Sequence, residues 1–166
     1  FHVEIGCGKG GFTVNTALKY PDVNFLAVER IRDVIMVAME RAHNAGVDNL
    51  KFHNFDVAGL HEILPEHCVD VLYINFCDPW PKKRNARRRL TFHRFLENYK
   101  NFLKSDGEIH FKTDNRDLFD FSLEQFPIAG YEMKDITFDL HNSEYNENNV
   151  MTEYEKLFFH RSPRIG

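Results

Sequence analysis

The sequence contains little cysteine, and its three thiols, Cys7, Cys68 and Cys77, form no CxxC pair. An odd number of scattered cysteines argues against a disulfide framework and against a structural zinc site, and it fits a reducing cytoplasm. The nine histidines show no metal-ligand spacing, so we expect no metal. No apolar run approaches the ~18 residues of a membrane-spanning helix, and no signal peptide is recognisable, so we expect no membrane association.

Internal repeats and domain-dividing linkers are also absent from the sequence. With 166 residues and 43% hydrophobic content, the range 1–166 suits a single domain with a sizeable core. The chain begins without Met and inside a predicted strand, so we expect an N-terminal segment to be missing. Both a monomer and a homodimer are compatible with this sequence.

Positive charge is scarce outside one segment. The net charge is −4, yet residues 82–94 hold seven cations and no acid, which leaves 14 Lys plus Arg against 25 Asp plus Glu elsewhere. Charge runs of this kind are often solvated faces or flexible tails. Here the run is internal and follows Asp78, Pro79, Trp80 and Pro81, whose two prolines exclude a regular helix. We therefore expect a rigid loop that holds a carboxylate beside a polyanion-binding strip.

Short apolar runs alternating with helical periodicity predict an α/β fold with a parallel sheet. The predicted parallel strands cover residues 2–5, 24–29, 50–54, 69–76 and 108–112. The clearest predicted helices cover residues 31–42, 92–103 and 115–126. Residues 131–138 and 154–160 predict a closing antiparallel hairpin, joined by a mobile surface loop over 139–151. The expected fold is Rossmann-like, with a mostly parallel seven-stranded sheet, an antiparallel last strand and helices on both faces.

Acidic residues follow or end every predicted parallel strand. Open parallel sheets bind ligands at the carboxyl ends of their strands, where the strand order reverses. The acids at these ends are Glu4, Glu29, Asp56, Asp78 and Asp114. They are the first candidates for a site.

A glycine-rich turn follows the first strand. Gly6, Gly8 and Gly11 satisfy G-x-G-x-x-G, and Glu29 lies eighteen residues beyond the last of them. NAD and S-adenosylmethionine sites share this pattern, because both need a tight turn and a carboxylate for ribose hydroxyls. Glu4 inside the first strand, and Asp56 where an adenine amino group needs an acceptor, favour S-adenosylmethionine. The alternatives are a structural ion-paired role for Glu4 and a helix cap at Asp56.

Four blocks of sequence carry a family resemblance. They are EIGCGKG at 4–10, NFCDPWPKKR at 75–84 with RRL at 88–90, TD at 113–114 and TEYE at 152–155. In this order they resemble the bacterial tRNA (guanine-N7-)-methyltransferases, which are class I methyltransferases, and the resemblance covers nearly the whole chain. Cys77 stands where the family commonly has proline, which leaves the carboxylate of Asp78 in place.

The resemblance implies a reaction and a set of roles. The reaction is methyl transfer from S-adenosylmethionine to N7 of a guanine in the variable loop of tRNA, at tRNA position 46, with Asp78 as the active-site residue. The implied cofactor-binding residues are Glu4, Gly6, Gly8, Glu29, Asp56 and Asp78. The implied substrate-binding residues are Lys82, Asp114, Thr152, Glu153, Tyr154 and Glu155. The implied RNA-binding residues are Arg84, Arg87, Arg88 and Arg89.

Guanine N7 carries a lone pair and no proton, so its methylation needs no general base. Asp78 then suits an electrostatic task, because the methylated purine is positively charged. Trp80 is either a stacking platform for an extruded base or an indole that plugs the strand end. Thr152 and Glu155 also form a capping-box pattern, although the strand-like residues 156–159 argue against a helix there.

Two other functions fit parts of the sequence. An Asp-Pro-Trp after the fourth strand is similar to the D/N-P-P-Y/F/W loop of enzymes that methylate an exocyclic amine of a nucleobase or a protein glutamine. In those enzymes, however, the second proline precedes the aromatic residue. The glycine turn alone also permits a NAD-dependent oxidoreductase or a non-catalytic nucleotide-binding module, neither of which uses both the basic loop and its acids.

Overall fold

The computed structural model describes residues 1–158, and the chain alternates strands and helices over most of this length. The strands are β1 (His2–Ile5), β2 (Phe25–Val28), β3 (Leu50–His53), β4 (Val69–Asn75) and β5 (Leu103–Lys112). The helices are α1 (Gly11–Lys19), α2 (Arg32–Asn44), α3 (Leu60–Ile63), α4 (His93–Tyr99), α5 (Arg116–Ile128) and α6 (Glu153–Phe158). Short 3-10 turns cover Val57–Gly59, Lys83–Arg88, Leu140–Asn142 and Glu144–Asn148.

The five strands form one parallel sheet in the order β3-β2-β1-β4-β5. The chain therefore reverses its direction of travel across the sheet between β1 and β4, which is the switch point where open α/β sheets bind ligands. The predicted parallel α/β fold is confirmed.

Alternate residues of β1 and β4 contribute to two cores, one on each face of the sheet. Val3 and Ile5 pack with Leu72 and Ile74 in the core that also contains residues of α4. On the other face, Tyr73 packs with Phe12 and other residues of α1 and β2. Burial on both faces explains why these strands are almost continuously apolar.

The predicted antiparallel hairpin is wrong in the described part of the chain. Residues 131–138 contain no strand, and residues 153–158 form α6, while 159 and 160 lie outside the described residues. Tyr131 and Phe138 contact α5 instead, where Phe138 lies 5.1 Å from Phe119 between ring centres. The apolar side chains of Met133 and Ile136 are exposed. Thr152 and Glu155 form the capping box that starts α6, so the helix signal prevailed over the strand-like residues after it.

Two other boundaries differ from prediction. The helix predicted over 92–103 ends at Tyr99, because Leu103 pairs with Val69 at the start of a longer β5. The segment 139–151, predicted as a mobile loop, contains two 3-10 turns, and its Leu140 is buried. Its contacts with β5 are part of the site described below.

None of the helices in residues 1–158 is both long and apolar enough to cross a membrane. In the same residues, no group of three or more His, Cys, Asp or Glu side chains could hold a metal ion.

Candidate active site at the carboxyl edge of the sheet

The glycine turn between β1 and α1 leaves open space above its backbone. Gly6 and Gly8 have φ angles of 73° and 55°, in the left-handed region that favours glycine, and a Cβ at either position would meet no atom within 4 Å. Gly10 is the N-cap of α1, has a φ of 77° and lies against Ala38 of α2. The turn is thus held against α2 at one end and is accessible to a ligand at the other.

Glu4 lies on β1 directly below this turn and is only 3% exposed. Its carboxylate accepts hydrogen bonds from the Thr13 hydroxyl of α1 and from Asn75 Nδ2 of β4, the latter at 2.9 Å. Burial raises the pKa of Glu4 to about 7, against the opposing effect of those two hydrogen bonds. Glu4 therefore connects the glycine turn to the end of β4.

Asn75 was not predicted as a site residue, although it lies where β4 meets β1. Its side chain is buried and donates to Glu4, but its Oδ1 has no hydrogen-bond partner. A buried acceptor without a donor is unfavourable, so this position suits a ligand that brings a donor such as an ammonium group. The asparagine in the NFCDPW block was the available sequence signal.

Glu29 and Asp56 follow β2 and β3 on the same edge. Glu29 Oε2 accepts from Gly8 N at 3.2 Å and Oε1 accepts from Ile31 N at 3.0 Å, so its carboxylate is fixed beside the glycine turn. Asp56 Oδ1 accepts from Ala58 N at 2.9 Å and caps the 3-10 turn Val57–Gly59. The alternative role of Asp56 as a cap is thus observed. Because the Asp56 side chain is exposed, it is also accessible to a ligand.

Asp78 lines a cleft of about 290 Å³ at the ends of β4 and β5. The other lining residues are Phe76, Cys77, Pro79, Thr113, Asp114, Asn115 and Tyr154. The Asp78 side chain is exposed and makes no hydrogen bond or ion pair with any other residue of the range 1–158. Burial raises the pKa of the Cys77 thiol to about 12, which makes this thiol a packing group and a poor nucleophile.

Tyr154 of α6 closes the far side of this cleft. Its hydroxyl donates to Asp114 Oδ2 at 2.8 Å, and its ring lies 4.8 Å from the Phe76 ring between centres. The bond to Asp114 raises the pKa of Tyr154. Two of the predicted substrate-binding residues, Asp114 and Tyr154, are therefore brought together opposite Asp78.

Thr152 and Glu155 do not line the cleft, and both are buried at the start of α6. Glu155 Oε2 accepts from Thr152 N at 2.7 Å and lies 3.4 Å from Lys112 Nζ of β5. Lys112 also donates to Asn149 Oδ1 at 2.6 Å and to the Val150 carbonyl, and burial lowers the pKa of its ammonium group. These contacts anchor α6 to β5, a long-range role for Lys112 that no local motif predicts.

Glu153, the remaining predicted substrate residue, points toward the opposite side of α6. Its carboxylate pairs with Arg41 of α2, and a Cβ on Gly11 would collide with both side chains. The helix thus spans the carboxyl edge from the start of α1 to the end of β5.

The basic segment, residues 82–94, begins shortly after Asp78 in the chain and continues as the 3-10 turn Lys83–Arg88. Five of its cations have exposed side chains and make no ion pair with an acid of the described chain; they are Lys82, Lys83, Arg84, Arg87 and Arg88. The guanidinium of Arg88 lies 4.9 Å from the centre of the partly buried Trp80 ring. Arg89, predicted with the RNA-binding residues, is instead only 8% exposed.

Solved structures define the class of this fold. The precorrin-6y C5,15-methyltransferase of Geobacter metallireducens GS-15 superposes with a TM-score of 0.62 and 16% identity, over 78% of this chain and 61% of that one. The Haemonchus contortus phosphoethanolamine N-methyltransferase 1, solved with phosphoethanolamine and S-adenosylhomocysteine, gives a TM-score of 0.52 and 25% identity over 69% of this chain and 22% of that one. The chain has the Rossmann-like fold of these methyltransferases.

Sequence comparison identifies the particular family. A family model described as "Putative methyltransferase" matches residues 1–165. A protein of Brevibacillus brevis (strain 47) named tRNA (guanine-N(7)-)-methyltransferase is 49% identical over 164 residues, which are 99% of this chain and 77% of that relative. The chain belongs to the tRNA (guanine-N(7)-)-methyltransferase family, and the resemblance seen in its four sequence blocks is confirmed.

Proposed function

We propose that the chain transfers the methyl group of S-adenosylmethionine to N7 of a guanine in tRNA, at position 46 of the variable loop. The observation that carries this proposal is the Asp78 cleft, which lies at the end of β4, the strand paired with β1 and its glycine turn. The five exposed cations that pair with no acid of the described residues follow the cleft in the chain. Family membership supports the same reaction. We propose that residues 1–166 form a single domain that carries out this reaction.

The residues around the glycine turn fit S-adenosylmethionine. Gly6 and Gly8 leave room for close approach of a ligand, Glu29 would accept from both ribose hydroxyls, and Asp56 would accept from the adenine amino group. The unpartnered Oδ1 of buried Asn75 would take a proton of the methionine ammonium group, while Glu4 fixes Asn75 from behind. When bound, S-adenosylmethionine would supply a methyl group on a positively charged sulfur.

Asp78 acts in this proposal by its charge. Guanine N7 has no proton to lose, and the methylated purine carries a positive charge that the Asp78 carboxylate stabilises. The remaining gain comes from alignment, since a displacement at carbon is fastest when the reacting atoms are held in line. No residue of the site is required as a general base.

Asp114 and Tyr154 are the groups that we propose to read the guanine. Asp114 accepts from the Tyr154 hydroxyl through Oδ2, which leaves Oδ1 for the N1 and amino protons of guanine. Adenine lacks an N1 proton, so the same acceptor disfavours it. Lys82, an exposed residue four positions after Asp78, would hold a phosphate or the guanine O6.

The exposed cations of the basic segment are proposed to bind the tRNA backbone. Extrusion of a base costs a few kcal/mol, which phosphate contacts and stacking on Trp80 or Tyr154 would offset. We propose a cytoplasmic location, since tRNA is the substrate and the three cysteines are unpaired.

The test is to incubate the purified chain with methyl-labelled S-adenosylmethionine and unmodified tRNA. The expected product carries the label at N7 of the variable-loop guanine, detected by mass spectrometry and by borohydride and aniline cleavage. A tRNA with adenine in place of that guanine is the matched control and should stay unlabelled. Label on an adenine, on an exocyclic amine or on protein would refute the proposal and favour an amino methyltransferase.

A further inference from the structure

Arg89 differs from the other cations of the basic segment because its guanidinium is buried. Burial of a cation is unfavourable unless its donors are satisfied. Arg89 Nε donates to the Pro79 carbonyl at 2.9 Å and Nη2 donates to the Trp80 carbonyl at 3.1 Å. Its Cζ lies 4.3 Å from the centre of the Phe121 ring of α5, and no acid of the described residues pairs with it. The guanidinium is thus committed to the protein.

The two carbonyls that Arg89 binds belong to the residues directly after Asp78. Trp80 has a φ of 43°, a conformation that bulky residues rarely adopt and that its surroundings must maintain. Pro79 and Pro81 fix the backbone on either side but supply no N–H donors. The loop therefore depends on donors from outside, and Arg89 provides two.

The Asp78 side chain has no hydrogen bond within the described chain, so its position follows that of this backbone. Arg89 itself is fixed by neighbouring contacts. Its backbone N–H donates to the Ala86 carbonyl at 3.1 Å, and its carbonyl accepts from Phe92 N at 2.9 Å. A continuous series of contacts therefore runs from Phe121 of α5 through Arg89 to the loop that carries Asp78.

We propose that Arg89 is a positioning residue that holds the Asp78 loop for methyl transfer and makes no contact with tRNA. This inference rests on the proposed function, since it assigns Asp78 to the reaction. It separates Arg89 from Arg84, Arg87 and Arg88, which remain the proposed RNA ligands. Lysine cannot replace Arg89, because one ammonium group does not present two donors in a fixed plane.

Trp80 is the only tryptophan in the chain, so its fluorescence reports on this loop without any assay of activity. The experiment compares the wild-type chain with R89K, R89M and the exposed-site control R87M. We expect both Arg89 variants to shift Trp80 emission to longer wavelength and to increase its quenching by acrylamide. At saturating tRNA their kcat should fall about 10²-fold, because a displacement of about 1 Å in the site has that effect.

The affinity for tRNA separates positioning from RNA binding. Both Arg89 variants should keep the wild-type slope of log Kd against log salt, whereas R87M should lower it by roughly 0.7 to 0.9 and leave Trp80 emission unchanged. The inference is wrong if R89K and R89M lose one unit of salt slope while Trp80 emission stays as in the wild type. If R89M does not fold, the charge-conserving R89K decides the question. Inactivity of the wild type on tRNA would refute the proposed function, while the fluorescence comparison would still decide whether Arg89 holds the loop.

Discussion

The burial of each acidic side chain in this site decides what that side chain can do chemically. Glu4, Asp78 and Glu155 are all carboxylates at one edge of a sheet, yet Glu4 and Glu155 are buried and bonded, whereas Asp78 is exposed and unpaired within the described chain. Their chemistry therefore differs although their residue types nearly coincide.

Glu4 should make stability depend on pH. Its folded-state pKa of about 7 lies above the ordinary value of 4.5, so folding favours the protonated form. The resulting contribution is fully present below about pH 4.5 and is lost as the pH rises through about 7. We expect E4Q, which resembles the protonated form, to be less sensitive to pH across this window by about 3 kcal/mol.

Urea unfolding of the wild-type chain and E4Q at several pH values measures this difference. E62Q, a change at an exposed acid in α3, should leave the wild-type dependence intact. Parallel stability curves for the wild type and E4Q would contradict this prediction, because they would mean that folding does not change the pKa of Glu4.

Asp78 should contribute through its charge. D78N keeps the size of the side chain and one acceptor oxygen but removes the charge. We expect kcat to fall by about 10²- to 10³-fold, as for other electrostatic stabilisers. Single-turnover rates with tRNA in excess measure the effect. D106N, at an exposed acid near the opposite end of β5, is the matched control. A D78N rate within about twofold of wild type would show that positioning alone carries the catalysis.

The secondary-structure elements show, more clearly than single residues do, how far the fold can be predicted from the sequence. The strands that end in acids were predictable because apolar runs and glycine turns are local signals, and this placed Glu4, Glu29, Asp78 and Asp114 on one edge. The residues 131–138 resemble a strand in sequence, but they form none, and Tyr131 and Phe138 contact α5 through Phe126 and Phe119. Whether this segment pairs as a strand or packs on a helix depends on residues that are distant in the sequence.

The end of the chain shows the same limit within α6. Its capping box was visible in the sequence, yet the anchoring of Glu155 by Lys112 joins residues 43 positions apart. Likewise, only the three-dimensional path of the turn Lys83–Arg88 decides that Arg88 is exposed while Arg89 is buried. Proximity across the fold, which a single sequence does not state, decides both cases.

The packing of α1 against α2 should tolerate no side chain at Gly10. A Cβ there would lie 2.7 Å from Ala38 Cβ, and the φ of 77° is itself unfavourable for alanine. We expect G10A to lower the free energy of unfolding by about 2–4 kcal/mol and to weaken cofactor binding, because the glycine turn must shift. Chemical denaturation and titration with S-adenosylhomocysteine measure the two effects.

Gly46 offers a control that isolates the backbone contribution. It has a similar φ of 67°, but a Cβ there would meet nothing within 4 Å. G46A should therefore lose only about 1–2 kcal/mol and bind the cofactor normally. Equal losses in G10A and G46A would mean that the contact with Ala38 is unimportant.

At the scale of the whole molecule, charge is separated between one basic segment and an acidic remainder. The cations of residues 82–94 oppose an excess of acids over the rest of the chain, within a net charge of −4. A tRNA should therefore be attracted at this segment and repelled elsewhere, so that long-range forces favour the orientation that brings a base to Asp78.

This polarity predicts which cations set the salt dependence of tRNA binding. Replacing Arg84 and Arg87 together with glutamine should weaken binding and reduce the slope of log Kd against log salt by roughly 1.4 to 1.8, since two phosphate contacts are lost. Arg88 is left in place because it stacks on Trp80. K51Q, at an exposed lysine on the edge strand β3, removes one charge from the acidic remainder and should leave the slope unchanged. If K51Q lowers the slope per charge as much as the arginine pair does, the attraction is spread over the molecule and the basic segment has no special part in it.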